Sequence, residues 1–239
     1  MSLAGPRPRE AVEFLEEDRL VSIYIGDKKK PYLIQQTIIT MTSDYFKAAF
    51  TNERFEEAKS GILRVPDDDI DTWALFMYWL VKRELPCHVS DIRWAVKAWT
   101  FGDKYGISQF QNAAMLEVLS RFNLMDLRSP ADVALVEEAF VLCPQGSLMR
   151  KFLAEQVVAA VLDLKSTTWE DLAAIREPAG NCKDILDAIV RREHDNVWNW
   201  QLGDDGNGKP IWARYMIGEG PANVEMFGWI KLDCGWTMV

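Results

Sequence analysis

Histidines, clustered cysteines, an excess of positive charge and long apolar runs are all scarce in this 239-residue chain, and each shortage removes a class of function. The two histidines, His88 and His194, lie far apart in sequence. Neither sits in an HExxH, a C-x-x-C…H or a nucleophile-elbow context, so no metal-ligand or acyl-transfer motif is written in the chain. The four cysteines, Cys87, Cys143, Cys182 and Cys234, form no CxxC pair. Disulfide-stapled secreted domains carry denser, clustered cysteines, so the expectation is a reducing, intracellular compartment, cytoplasmic or nuclear. The opening MSLAGPRPRE has no apolar h-region, so no secretory leader is expected. The longest apolar run, Trp73 to Val81, is nine residues, against about 20 for a membrane-spanning helix. With a net charge of -9 the chain repels phosphate backbones, so nucleic acid is not an expected partner. Its one basic run, Lys28-Lys29-Lys30, stands between Gly26-Asp27 and Pro31 and reads as a solvated turn.

What remains is an ordinary globular composition, 49% hydrophobic and 26% charged. A Pro-containing arm, residues 1–19, includes a short helical stretch with Ala11, Phe14 and Leu15 on one face. From Val21 the spacing changes to period two: Val21, Ile23 and Ile25 alternate with Ser22 and Tyr24, and Tyr32-Leu33-Ile34 offers a partner strand across the lysine turn. Thr42 or Ser43 can cap a helix bearing Tyr45, Phe46, Ala49 and Phe50. Ile62 to Val65 reads as a third strand, stopped by Pro66. Asp67, Asp68 and Asp69 follow, where carboxylates suit the free N–H groups of a helix start; a calcium loop needs spaced ligands and a distal glutamate that are missing here. Helices are expected from Ser90, from a Ser108/Gln111 capping box, and from Ser129-Pro130 to Pro144; Leu148, Phe152, Val157, Val161 and Leu164 share one side of the next, and Thr168 and Asn181 can cap two more. In the tail, Trp198, Trp200 and Leu202, then Ile211, Ala213, Tyr215 and Ile217, alternate around a Gly/Asp-rich turn and predict a small antiparallel meander with tryptophans as its core. The expected fold class is α+β: a domain over 20–122, a helical extension over 123–196 and a short β tail over 197–239. The run Trp73–Val81, apolar all round, predicts a helix enclosed on nearly every side.

The segments VSIYIG, PYLIQQTIITMTSDYFKAAF and GILRVPDDDIDTWALFMYWLVKRELP, followed by WAVKAWTFGDKYGISQFQNAAMLEVL, resemble the BTB/POZ family over residues 20–122. Ser43, Tyr45 and Phe46 match that family's S-x-Y-F, Trp79 and Leu80 the end of its next helix, and Asp103-Lys104-Tyr105 its D-K-Y. Residues 129–165 are similar, more weakly, to the helical extension of short fungal members. The resemblance implies a non-catalytic interaction module, a dimerising adaptor or scaffold without cofactor or metal. It implies a homodimer built on Phe14, Leu15, Ile38, Ile39 and Tyr45. In relatives that recruit a cullin ubiquitin-ligase scaffold the facing helix carries a glutamate. Here Trp73 and Leu75 are the cullin-facing candidates, and Leu75 stands at the aligned glutamate. The chain also departs from the family at Gln35, where a histidine is usual, and at Val81-Lys82-Arg83, where a glycine is.

The competing class is a nucleotide-dependent enzyme, because Gly203-Asp204-Asp205-Gly206-Asn207-Gly208-Lys209 fits G-x-x-x-x-G-K. A P-loop needs a Ser or Thr hydroxyl for magnesium where Pro210 stands, and Asp204 and Asp205 repel phosphate. Millimolar ATP with magnesium is therefore expected to leave the melting temperature of the chain unchanged. A rise of several degrees that Lys209→Ala abolishes would restore the nucleotide reading.

Overall fold

Period-two spacing becomes a strand whose alternate side chains are fully buried. In the computed structural model, which describes residues 18–86, 92–122, 127–162, 167–176, 179–194 and 211–218, Val21, Ile23 and Ile25 are inaccessible while Ser22 and Tyr24 are half-exposed. This strand, β1 (Leu20–Ile25), pairs antiparallel with β2 (Tyr32–Gln35) and parallel with β3 (Ile62–Val65), giving the order β2-β1-β3. Between them lie α1 (Gln36–Thr40), α2 (Asp44–Thr51) and α3 (Glu56–Ser60), and α4 (Ile70–Lys82) follows β3. The helices α5 (Ile92–Tyr105), α6 (Ser108–Phe122), α7 (Pro130–Leu142), α8 (Leu148–Leu162), α9 (Ala173–Arg176) and α10 (Ala179–His194) come next, and the described chain ends in a 3-10 helix, Ile211–Tyr215. Over the described residues the protein is thus α+β, mostly helical with one small mixed sheet.

The chain divides into two compact units. One comprises the residues up to Met77 together with Lys104–Ile107; the other comprises Tyr78–Asp103 and everything from Ser108 onward. The expected boundary at 122/123 falls inside the second unit. In the first, Ser43 rather than Thr42 caps α2: its hydroxyl accepts from the Phe46 N–H at 3.3 Å. The chain leaves α3 through Gly61, whose φ of 71° places it in the left-handed region. A side chain there would also collide with the Arg19 guanidinium, 2.6 Å away, which donates to the Ala58 and Lys59 carbonyls that α3 leaves open at its end.

In the second unit α8 is the enclosed helix: from Met149 to Ala160 every residue except Lys151 and Gln156 is buried. This corrects the expectation placed on α4. Trp73, Phe76, Trp79 and Leu80 of α4 are buried, but Ala74, Tyr78 and Val81 are exposed, Val81 to 79%. A helix apolar all round is compatible with one open face, because a folded protein never has enough polar surface to cover itself.

Four smaller expectations are also corrected. Gln111 does not close a capping box with Ser108, since its amide donates to Asp103 Oδ1 at 3.1 Å. Asn181 lies within α10 and turns its side chain to Arg150 and to the Ile175 carbonyl. Ile211–Tyr215 is a 3-10 helix, not a strand, because Trp212 and Tyr215, three residues apart, are both buried while the intervening Ala213 and Arg214 are half-exposed. Thr168 exchanges hydrogen bonds with Asp171 in the turn before α9, which begins only at Ala173, so it closes that turn rather than capping the helix. The arm with Phe14 and Leu15, the Ser90 start, both histidine side chains, the 203–209 glycine loop and most of the tail lie outside the described residues.

Trp79 is 3% exposed and meets Phe110 at a ring separation of 5.3 Å. Trp79→Ala is expected to lower the urea-unfolding free energy by about 3–5 kcal/mol with a cooperative transition retained.

Candidate functional site

The three aspartates after β3 have separate tasks. Asp69 starts α4: its backbone carbonyl accepts from the Trp73 N–H at 3.1 Å and its carboxylate from the Thr72 hydroxyl at 2.7 Å. Asp68 turns its carboxylate, 6% exposed, into the first unit. There Oδ1 accepts from Lys104 Nζ at 2.5 Å, and Oδ2 accepts from Trp73 Nε1 at 2.7 Å and from the Tyr105 hydroxyl. A charged acceptor with three donors, one of them cationic, satisfies a carboxylate that would otherwise be costly to bury.

Five aromatic rings surround this centre. Phe46 stacks on Tyr105 at 5.2 Å and on Phe76 at 6.1 Å, and Trp73 meets Phe46, Phe76 and Tyr105 edge-on. Tyr45 closes the cluster from outside, edge-on to Tyr105 at 5.0 Å and 44% exposed. Burial is the main reason the Tyr45 phenol lies above its usual range, with the Glu57 and Asp68 charges adding and Lys104 opposing.

The residues expected at a partner surface separate into three groups. Tyr45 is accessible and Ile38 half-buried, whereas Ile39 is fully buried in the first unit and serves its core. Trp73 is likewise inaccessible, its indole N–H committed to Asp68, so it cannot face a partner; Leu75 is half-buried. Phe14 and Leu15 are outside the described residues. Sequence reasoning passed over Met41, 81% exposed after α1, and Phe55, 46% exposed before α3, although both helices pack on α2. Their signal was a large apolar residue at the end of a very short helix, where no neighbouring turn can cover it. The outer face of the sheet adds Leu20, Leu33 and Ile62, all exposed, with Leu33 and Ile62 both in register with Ser22.

Cys143 is buried and its thiol pushed up to about 12 by that burial, so it is no nucleophile at neutral pH. Among the described residues no group of three or more His, Cys, Asp and Glu side chains could hold a metal, and no helix is long and apolar enough to cross a membrane. The chain matches no protein-family model, and no curated protein matches it.

Burial, reinforced by the hydrogen bond to Asp68, holds the Tyr105 phenol well above its usual value of 10.0. In the unfolded chain it ionises near that value, so above about pH 10 unfolding releases a proton that the folded state keeps. The stabilisation is therefore complete below that pH and is lost as pH rises further. Urea midpoints measured from pH 8 to 11 are expected to fall at the alkaline end, and less so in Tyr105→Phe. That variant is also expected to lose about 1.5–3 kcal/mol at neutral pH, the worth of a hydrogen bond to a charged acceptor.

Proposed function

We propose that the chain is a non-catalytic protein-interaction module of the BTB/POZ kind, acting as a dimerising adaptor or scaffold. One observation carries the reading: the S-x-Y-F and D-K-Y segments, more than fifty residues apart, meet at one centre. Phe46 stacks on Tyr105, Tyr45 edges the same ring, Ser43 caps the helix that presents both, and Lys104 and Tyr105 hold Asp68. A hairpin followed by a third strand parallel to β1 is the strand arrangement in which this reading expects those motifs. Accessible Tyr45 and Met41 beside the paired Asp68 centre suit a surface that binds rather than a cleft that reacts.

The partner we assign first is a second copy, through Ile38, Tyr45 and the arm bearing Phe14 and Leu15, in a two-fold arrangement. Cullin recruitment through α4 is disfavoured, because Leu75 replaces the aligned glutamate and Trp73 is turned inward. Light scattering on the full chain at tens of micromolar should give the dimer mass. Tyr45→Arg, or a chain beginning at Asp18, should shift it toward monomer at least tenfold in dissociation constant. A monomeric wild type would remove the dimer, and a dimer indifferent to both changes would move the interface elsewhere. In a pull-down, strong retention by a cullin would contradict the role given to Leu75.

A further inference from the structure

Residues 212–217 meet the second unit as a ligand meets a receptor. Asn112 of α6, 5% exposed, uses its side-chain amide to grip both backbone groups of one residue 105 positions away: Nδ2 donates to the Ile217 carbonyl at 3.0 Å, and the Ile217 N–H donates to Oδ1 at 2.7 Å. Such a bond pair reads peptide backbone rather than side chain. Glu155 of α8, 1% exposed, is held from one side by Arg191 Nε of α10 at 3.0 Å on Oε1. Its Oε2 accepts from the segment, at 2.6 Å from Arg214 and 2.5 Å from the Tyr215 hydroxyl. The Tyr215 ring stands edge-on to Phe152 at 5.1 Å, and Trp212, Tyr215 and Met216 are buried.

Asn112 and Glu155 are buried polar groups whose partners come from a short stretch that belongs to no neighbouring helix. A bare Asn112 amide or a Glu155 left with Arg191 alone would lose bonds that this stretch supplies, so the groove selects its occupant. The occupant it fits is specific: an apolar anchor, then Arg-Tyr two residues on, then, two residues after the tyrosine, one residue whose backbone N–H and C=O both reach Asn112. The sixteen residues between His194 and Ile211 (210 − 194 = 16) reach at most about 55 Å, ample for the stretch to leave one groove for another.

We infer that α6, α8 and α10 form a peptide-docking groove, that residues 212–217 are its ligand in cis, and that the same segment of a second copy binds it in trans. The inference does not depend on the BTB/POZ reading, because it rests on hydrogen bonds and burial around residues 212–217 and uses neither the S-x-Y-F nor the D-K-Y motif.

The test uses the full chain and a fluorescein-labelled peptide of residues 209–220, followed by anisotropy. The tethered segment competes at high effective concentration, so the wild-type chain should take up the peptide weakly. A full chain with Arg214→Ala in its own segment should bind it at least tenfold more tightly, and adding Asn112→Ala should abolish the gain. Should these variants fail to fold, a cleavage site for a specific protease is placed between Gly203 and Gly208 of the wild type. After cutting, the 209–239 fragment should co-elute with the body and exchange for the labelled peptide. Binding that survives Asn112→Ala in a folded variant would overturn the inference. So would a cut fragment that never exchanges, or one that leaves and is not replaced by peptide.

Discussion

A carboxylate removed from water holds a fold together only where donors replace the water it loses, and Asp68 gathers three of them. Its 6% exposed side chain gathers an ammonium, an indole N–H and a phenol from two helices whose contributing residues lie 5 to 37 positions away. The donors are not interchangeable. Lys104 stays 57% exposed and closes the site at its rim, while Trp73 and Tyr105 are buried aromatics whose polar edges both donate to Asp68. Their large apolar area therefore enters the core of the first unit only because Asp68 takes those edges. Phe46 stacks on Tyr105 and on Phe76, Phe76 meets Trp73 edge-on, and the sheet contributes Val21, Ile23 and Ile25 to the same interior.

The second unit uses the same device twice. Glu155 joins α8 to α10 and to the 3-10 helix. Arg150, 6% exposed, joins α8 to α10 through Asp184 and Asn181, and to α7 through the Phe140 carbonyl. Buried ion pairs of this kind add little net stability over a hydrophobic replacement, yet removing one partner costs about 3–5 kcal/mol. Their effect is thus on which arrangement forms. Helix α8, with apolar residues on nearly all sides, has many ways to pack; Arg150 and Glu155 accept one rotation about its axis, the one that meets both sets of partners.

Those charges also explain where the sequence was legible. The three strands, Ser43 as a cap and the Ser129-Pro130 start all follow from local chemistry, because period and cap are decided within a few residues. Asp68 was read as one more acid at a helix start, which is true of its neighbour Asp69; nothing nearby announces that its partners lie at 104 and 105. Glu155 and Arg150 look like the wet face of α8, and only the distant Arg191, Arg214 and Asp184 turn that face inward. The tail failed for a different reason. Over five residues, alternation and a period of three differ by one position, and burial of Trp212 and Tyr215 together decides for three.

The same division separates fold from partner. Within the motif segments Ser43 is a cap, Phe46 and Trp73 are core and Tyr105 is a donor, so substitution at any of them perturbs folding before it touches binding. Of S-x-Y-F, only Tyr45 is substantially exposed among those aromatic positions. A pattern so heavily spent on the interior identifies an architecture and is nearly silent about its ligand. On the proposed reading, specificity resides in positions that the motif leaves open, such as Met41, Phe55 and the Leu33–Ser22–Ile62 row of the sheet, where side chains change without disturbing Asp68. Two chains sharing the aromatic centre and differing at those positions would be expected to fold alike and bind differently, which is the behaviour an interaction scaffold requires.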